Sequence, residues 1–196
     1  MVSSRLRSIS DDITTPIAEV FVRLGLGPNA ITLLGLFSSI AAAYMYATNN
    51  LIFAFYMLLL ASTLDLLDGA VAKVANSITK FGGFLDSVTD RYSDAIILIG
   101  IAIYLDSYFL LIFIVLVGTL LVSYSRARAE HEISQCAVGI AERAERLTIL
   151  LIATLFEALN ILPRVDMFYV ALVLLAVITH LTVLYRVLYT YTVLSG

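Results

Sequence analysis

The sequence predicts an all-α integral membrane protein, with six transmembrane helices preceded by an N-terminal interfacial amphipathic helix. Two observations carry this prediction. The 196 residues are 61% hydrophobic and only 14% charged, whereas a soluble domain carries roughly 25% charged residues. The charges are also absent from long stretches. No Asp, Glu, Lys or Arg lies between Arg23 and Asp65, between Ser107 and Ser125, or between Met167 and Tyr185. A helix needs roughly 20 mainly apolar residues to cross a bilayer, so these runs are membrane spans and not the core of a soluble protein. No apolar stretch precedes residue 30, which argues against a cleaved signal peptide. The single cysteine, Cys136, excludes an intrachain disulfide and carries no metal motif.

A single membrane domain over 1–196 is expected, with 1–27 as the interfacial segment and 28–196 as a six-helix bundle. In the first segment Ile9, Ile13, Ile17, Val20, Phe21 and Leu24 recur at helical spacing, with Asp11, Asp12, Glu19 and Arg23 between them. Thr15 is placed to cap a helix starting at Pro16, and Gly25 and Gly27 to end it. The pattern fits a helix on the membrane surface and equally one packed on the protein's own core. Asn29 is a plausible cap for the first span. Thr48-Asn49-Asn50 forms a tight hairpin to the second, from about Leu51 to Ala75. A polar turn at 76–80 leads to the third, about Gly82 to Leu105. The fourth covers about Ser107 to Glu132, the fifth about Ala141 to Leu162, and Pro163 separates it from a sixth starting near Val165. Eleven of the twelve Lys and Arg residues then fall at one end, with Arg164 at the other. The positive-inside rule makes the basic end, with the N-terminus, cytoplasmic.

Acidic residues inside membrane helices are costly and mark function. Five occur in consecutive spans: Asp65, Asp68, Asp86, Asp90 and Asp94. Asp65 and Asp68 are three apart and Asp86 and Asp90 four apart, so each pair shares a helix face. The two helices, joined by a short turn, are expected to be antiparallel neighbours, so that four carboxylates converge near the basic end. Their mutual repulsion is relieved best by divalent cations, and oxygen-only ligands suit hard ions such as Mg²⁺ or Mn²⁺. Mg²⁺ commonly joins carboxylates to substrate phosphates, which points to phosphoryl chemistry. Gly69 and Gly82-Gly83 lie beside these acids, where a ligand approaching the backbone or close helix packing would favour glycine.

Asp65-x2-Asp68-Gly69-x2-Ala72-Lys73-x8-Gly82-x3-Asp86-x3-Asp90 resembles the signature of the CDP-alcohol phosphotransferases. Lys73 stands where that family usually has arginine, keeping the charge but losing the bidentate fork. The stretch Leu26 to Thr32 is similar to the start of the family's first span, where Pro28 and Asn29 would lie near the CDP group. Ser123 to Glu130, Gly139 to Leu147 and Asp86 to Ala95 resemble one branch only, the phosphatidylinositol phosphate and archaetidylinositol phosphate synthases. The resemblance implies transfer of a lipid-bearing phosphate from CDP-diacylglycerol or CDP-archaeol to inositol 1-phosphate, with release of CMP, by a homodimer using one or two Mg²⁺ or Mn²⁺ ions. Asp65, Asp68, Asp86 and Asp90 would hold metal. Pro28, Asn29, Thr32, Asp65, Asp68, Gly69, Lys73, Gly82 and Asp86 would bind the donor, and Asp90 would be the base. No nucleic-acid partner is expected.

A phosphorylated acceptor needs fixed positive charge, and arginine suits phosphate because it donates two hydrogen bonds. Arg126, Arg128, Arg143, Arg146 and Arg186 are the candidates; positions matching Arg126, Arg146 and Arg186 contact the acceptor phosphate in the resembling family. Arg126 and Arg128 are two apart and cannot both face one cavity on a regular helix. Competing readings are an ordinary Glu142–Arg146 pair along the helix and basic residues serving as topology signals. Two further functions stay open. Glycerol 3-phosphate would also need a phosphate-binding pocket, and an acid-lined transporter would spread its acids along a path with broken helices. The role of Asp94, one turn beyond Asp90, is left unassigned.

Overall fold

The computed structural model describes residues 14–195, all helix and connecting turns among those residues. Ile9, Asp11, Asp12 and Ile13 of the first segment lie outside the described residues. Helix α1 covers 14–23, so helix already precedes the expected cap at Thr15. It ends as its glycines require. Gly25 has φ 76°, and the Leu26 and Gly25 amides donate back to the carbonyls of Phe21 and Val22, a left-handed C-terminal turn that glycine adopts without strain. Ala18 of α1 is fully buried against Ile31, Leu67 and Val71, while Ile17, Val20 and Leu24 face outward. One face of α1 thus packs on the protein and a second apolar face does not.

Six longer helices follow: α2 (Pro28–Ala47), α3 (Leu51–Val74), α4 (Lys80–Leu105), α5 (Phe109–Glu132), α6 (Arg143–Ala158) and α7 (Met167–Ser195). Pro28 opens α2 with Gly27 before it, so Asn29 is inside the helix and is not its cap. Left-handed Asn49, Asn76, Asp106 and Asn160 turn the chain at four helix ends. Thr79 caps α4, accepting from the Gly82 amide at 2.9 Å. Asp166 accepts from the Tyr169 amide at 2.8 Å at the start of α7, and from the Tyr108 hydroxyl at 2.7 Å.

Four of these helices, α2, α3, α5 and α7, are long and apolar enough to cross a membrane. α4 has the length but carries Asp86, Asp90 and Arg91 in its first half and Asp94 just past its middle. α6, with 16 residues, reaches only about 24 Å at ~1.5 Å per residue, short of a hydrocarbon core of about 30 Å. Together with the apolar residues that face outward along the helices, such as Phe37, Phe53, Ile103, Phe113 and Leu188, this makes an integral membrane protein.

The packing order was not legible from chain order. The expectation that α3 and α4 are packed neighbours is overturned: they do not pack on each other, and both pack on α2, which stands between them. Among the described residues the helices form a ring: α2 against α3, α3 against α6, α6 against α7, α7 against α5, α5 against α4, and α4 against α2. One end of the interior is filled by Leu58, Ile97, Ile101, Val115, Phe168, Leu172 and Leu175. Buried Tyr46 bonds Thr154 there; because Thr154 donates to the Leu150 carbonyl at 2.7 Å, the Tyr46 hydroxyl is the donor. The α2–α4 crossing is set by Gly100, where a Cβ would lie 2.5 Å from the Ala43 Cα. Gly100→Ala should therefore force the helices apart and cost about 1–3 kcal/mol, visible as a lower midpoint of thermal unfolding in detergent; an unchanged midpoint would mean that the crossing is not tight.

Candidate active site

The opposite end of the ring interior is polar. It collects the last turns of α3, the first half of α4, the end of α5, the start of α6 and Arg186 of α7, with α1 packed alongside. The five aspartates therefore share one end with the basic residues, as their positions along the sequence predict.

Asp65, Asp86 and Asp90 each offer an oxygen within 4.8 Å of the other two. Since α3 and α4 are held apart by α2, these carboxylates meet across a gap and not at a packed helix seam. Three oxygen ligands from two rigid helices suit a hard divalent cation, so the donor set fits Mg²⁺ or Mn²⁺. Asp68 stands outside this trio. It is buried and accepts a 2.7 Å hydrogen bond from Thr32 of α2, which holds its carboxylate in place.

Two cavities flank the carboxylates. One, of about 230 Å³, is lined by Pro28, Asn29, Thr32, Asp68, Gly69, Lys73, Gly82 and Asp86 among others. All the residues expected at the donor are here except Asp65, which borders a small space with Asp68, Asp90 and Arg143. The glycines separate into two roles. A Cβ on Gly69 would meet nothing within 4 Å, so helix packing does not explain that residue, which borders open space in this cavity. A Cβ on Gly82 would press on Thr79 Oγ1 at 3.1 Å and Asn29 Oδ1 at 3.3 Å. Ser77, Ile78 and Thr79 also line this cavity; sequence reasoning had treated them only as a turn.

The second cavity, about 470 Å³, is lined by Asp90, Asp94, Arg91, Arg126, Glu130, Glu142, Arg143, Arg146 and Arg186 with several small residues. Four of the five predicted arginines are here. Arg128 is not: it turns away and pairs with Glu132 one turn on, as two-residue spacing on a helix requires. Arg143 contacts Asp65 and Asp90, and its Nε lies 3.5 Å from Asp94, so it serves the carboxylates directly. Buried Arg146 donates to Asp94 at 2.6 Å and to the Ala141 carbonyl at 2.8 Å. That overturns the alternative Glu142–Arg146 pair, because Glu142 lies 3.3 Å from Arg126 instead. Arg186, nearly fully buried, donates to the Val138 carbonyl at 2.8 Å and to the Val122 carbonyl, tying the α5–α6 loop to α7. Asp94, unassigned from sequence, anchors two arginines. Arg91, Glu130 and Glu142 had gone unpredicted at the cavity, and their membership in motifs was the one available signal. α3 and α4 run unbroken past these acids, unlike the interrupted helices of a transport path.

With this geometry in view, comparison with known proteins defines the class. The family model described as CDP-alcohol phosphatidyltransferase matches residues 26–184, and the chain belongs to that family. An archaetidylinositol phosphate synthase of Pyrococcus horikoshii is 44% identical over 146 residues, covering 74% of this chain and 78% of that one. The phosphatidylinositol phosphate synthase of Mycobacterium tuberculosis, in its crystal structure with CDP-DAG bound, matches with a TM-score of 0.79 at 31% identity over 92% of this chain and 94% of that chain. The same enzyme in complex with manganese and citrate gives 0.82 at 31% identity, over 91% and 89% of the two chains.

The Asp94–Arg146 pair provides a stability test. Asp94→Ala leaves a buried guanidinium with a backbone carbonyl as its remaining partner, and losing one member of such a pair costs about 3–5 kcal/mol. The thermal midpoint in detergent should drop well below that of Arg128→Ala, whose exposed pair is worth at most about 1 kcal/mol. Equal midpoints would refute a supporting role for Asp94.

Proposed function

We propose that this protein transfers the lipid-bearing phosphate of a CDP-activated lipid to inositol 1-phosphate, releasing CMP. The observation that carries the proposal is the meeting of two cavities at the carboxylates: one with Asp68, Asp86 and Gly69, the other with Asp90 and a group of arginines. The archaetidylinositol and phosphatidylinositol phosphate synthases among its relatives support the same reaction. CDP-diacylglycerol and CDP-archaeol both fit the donor role, since apolar groups distinguish them weakly.

In this mechanism Pro28, Asn29, Thr32, Gly69, Lys73 and Gly82 seat the CDP group. Asp65, Asp68, Asp86 and Asp90 would hold one or two Mg²⁺ or Mn²⁺ ions, whose chemistry there would be neutralisation of the diphosphate charge and a better leaving group in CMP. Arg126, Arg146 and Arg186 grip the acceptor phosphate, and Arg143, shared between carboxylates and cavity, joins the two halves. Asp90, which lines the acceptor cavity and belongs to the carboxylate trio, takes the proton of the attacking hydroxyl. The hydroxyl oxygen bonds the phosphorus that carries the lipid, and the bond from that phosphorus to the CMP oxygen breaks. Thr32 keeps Asp68 oriented on the donor side.

The same proposal extends to the membrane. α4 and α6 complete six spans, the short α6 crossing with the help of the chain that flanks it on either side, residues 1–196 form one domain, and α1 lies at the interface with Ile17, Val20 and Leu24 toward lipid. The basic end, with the site and the N-terminus, faces the cytoplasm. The protein works as a homodimer, in keeping with its family.

Purified protein in detergent should release CMP from CDP-activated lipid with inositol 1-phosphate, lose that activity on chelation, and recover it with Mg²⁺ or Mn²⁺. Asp90→Asn should reduce turnover by at least a hundredfold, within the ~10²–10⁴ expected for a general base. CMP release with glycerol 3-phosphate and none with inositol 1-phosphate would overturn the acceptor assignment. An Asp90→Asn variant within tenfold of wild type would remove Asp90 as the base.

A further inference from the structure

We propose that Glu142, with Glu130 beside it, reads the ring hydroxyls of the acceptor, so that the cavity selects a phosphorylated polyol over a bare phosphate. This rests on the acceptor assignment above and deepens it. The starting observation is a conflict of charge. Arg126, Arg146 and Arg186 suit a phosphate, yet Glu130 and Glu142 line the same cavity. A carboxylate beside a phosphate site weakens phosphate binding by repulsion, so these two acids call for a compensating use.

One use is visible and incomplete. Arg126 donates through Nε to Oε1 of Glu130 at 3.0 Å and through Nη1 to Oε1 of Glu142 at 3.3 Å. Each carboxylate thereby engages one oxygen, and among the described residues the second oxygen of each holds no hydrogen bond. Those oxygens are acceptors only. The dianionic phosphate of a monoester has no proton to give them and free hydrogen phosphate has only one, whereas a cyclic polyol carries several hydroxyl donors. A cyclic polyol phosphate places hydroxyl donors at fixed positions around its charged group. Arg126 would then hold the phosphate while the acids that flank it take the hydroxyls. Hydrogen bonds to a charged acceptor are roughly twice as strong as neutral ones, so the acids add discrimination that arginines cannot. The Arg126 and Glu142 side chains are 44% and 49% exposed, open to a ligand arriving from the aqueous end. Glu142 also immediately precedes α6, next to Arg143, so its position is tied to the carboxylate cluster.

The test is calorimetric binding of myo-inositol 1-phosphate and of inorganic phosphate to the Mn²⁺-loaded protein in detergent, for wild type, Glu142→Gln and Glu130→Gln. Glutamine keeps an oxygen for Arg126 but removes the charge. The expected result is opposite in sign for the two ligands. Glu142→Gln should weaken inositol 1-phosphate at least threefold while inorganic phosphate binds as well or more tightly, and Glu130→Gln should move the same way by a smaller factor. If both ligands weaken together, Glu142 acts only by holding Arg126 and the proposal fails. It fails too if inositol 1-phosphate affinity is unmoved, or if wild type binds it no more tightly than phosphate. CMP release is measured in parallel. Wild type that binds inositol 1-phosphate but releases no CMP would defeat the reaction proposed above, leaving the binding comparison to decide the role of Glu142.

Discussion

Carboxylates inside a ring of apolar helices need positive charge built in beside them, and the polar end of this protein is arranged around that need. Two like charges 4 Å apart repel by about 4 kcal/mol at an effective dielectric of about 20, and here Asp65, Asp86 and Asp90 lie within 4.8 Å of one another. Arg143 reaches two of them and also Asp94, while Arg146 holds Asp94 from the other side. Both arginines come from the first turn of α6. The start of that helix is thus set by the acids of α3 and α4, with which it has no connection along the chain. This explains why α6 carries charge where an ordinary span would be apolar, and why its apolar part is short.

The position of α2 is the second constraint. Had α3 and α4 packed face to face, as two helices joined by a short turn commonly do, their carboxylates would have filled the seam. With α2 between them, the seam becomes a space with an acid on each wall. Thr32 of α2 reaches into it to hold Asp68, and the cavity that follows borders Gly69, whose missing side chain leaves open room. Gly100 makes this arrangement possible at the far end of α4, by letting α2 approach closely enough to stay between its neighbours.

Much of this was legible in the sequence, and the limits have physical causes. Charge-free runs located α2, α3, α5 and α7, since they depend only on hydropathy and length, whereas α4 and α6 carry charge and had to be placed from the turns that bound them. The three- and four-residue spacings placed Asp65 with Asp68 and Asp86 with Asp90 on shared faces, since that follows from helix geometry alone. Local spacing also separated Arg126 from Arg128, and the structure sends them in different directions. Pairing between distant elements was not legible. Glu142 and Arg146 satisfy the i,i+4 rule, yet Arg146 is buried against Asp94 and Glu142 meets Arg126. A buried acid 52 residues away outweighs an exposed neighbour one turn away, because a desolvated guanidinium is costly unless a charge partner is equally buried. No rule of local spacing contains that comparison. The same holds for the ring order, which rests on where small residues let helices approach.

The division of the ring interior into an apolar end and a polar end ties the fold to the chemistry. Phe168, Leu172 and Leu175 belong to the buried apolar cluster that fills one end, so charges at the other end sit against a low-dielectric floor. Electrostatic interactions gain strength in such a place, which favours both the array of ion pairs and any developing charge that the array is positioned to meet. The polar end stays open, with Arg126, Glu130 and Glu142 partly exposed. In the proposed reaction a soluble, charged acceptor would reach Asp90 from water, while a donor held in lipid would approach past Gly69. A membrane-bound transferase joining a lipid to a water-soluble alcohol needs such a meeting of two phases at one set of carboxylates, and the two cavities that flank Asp86 and Asp90 are the feature of this fold that would provide it.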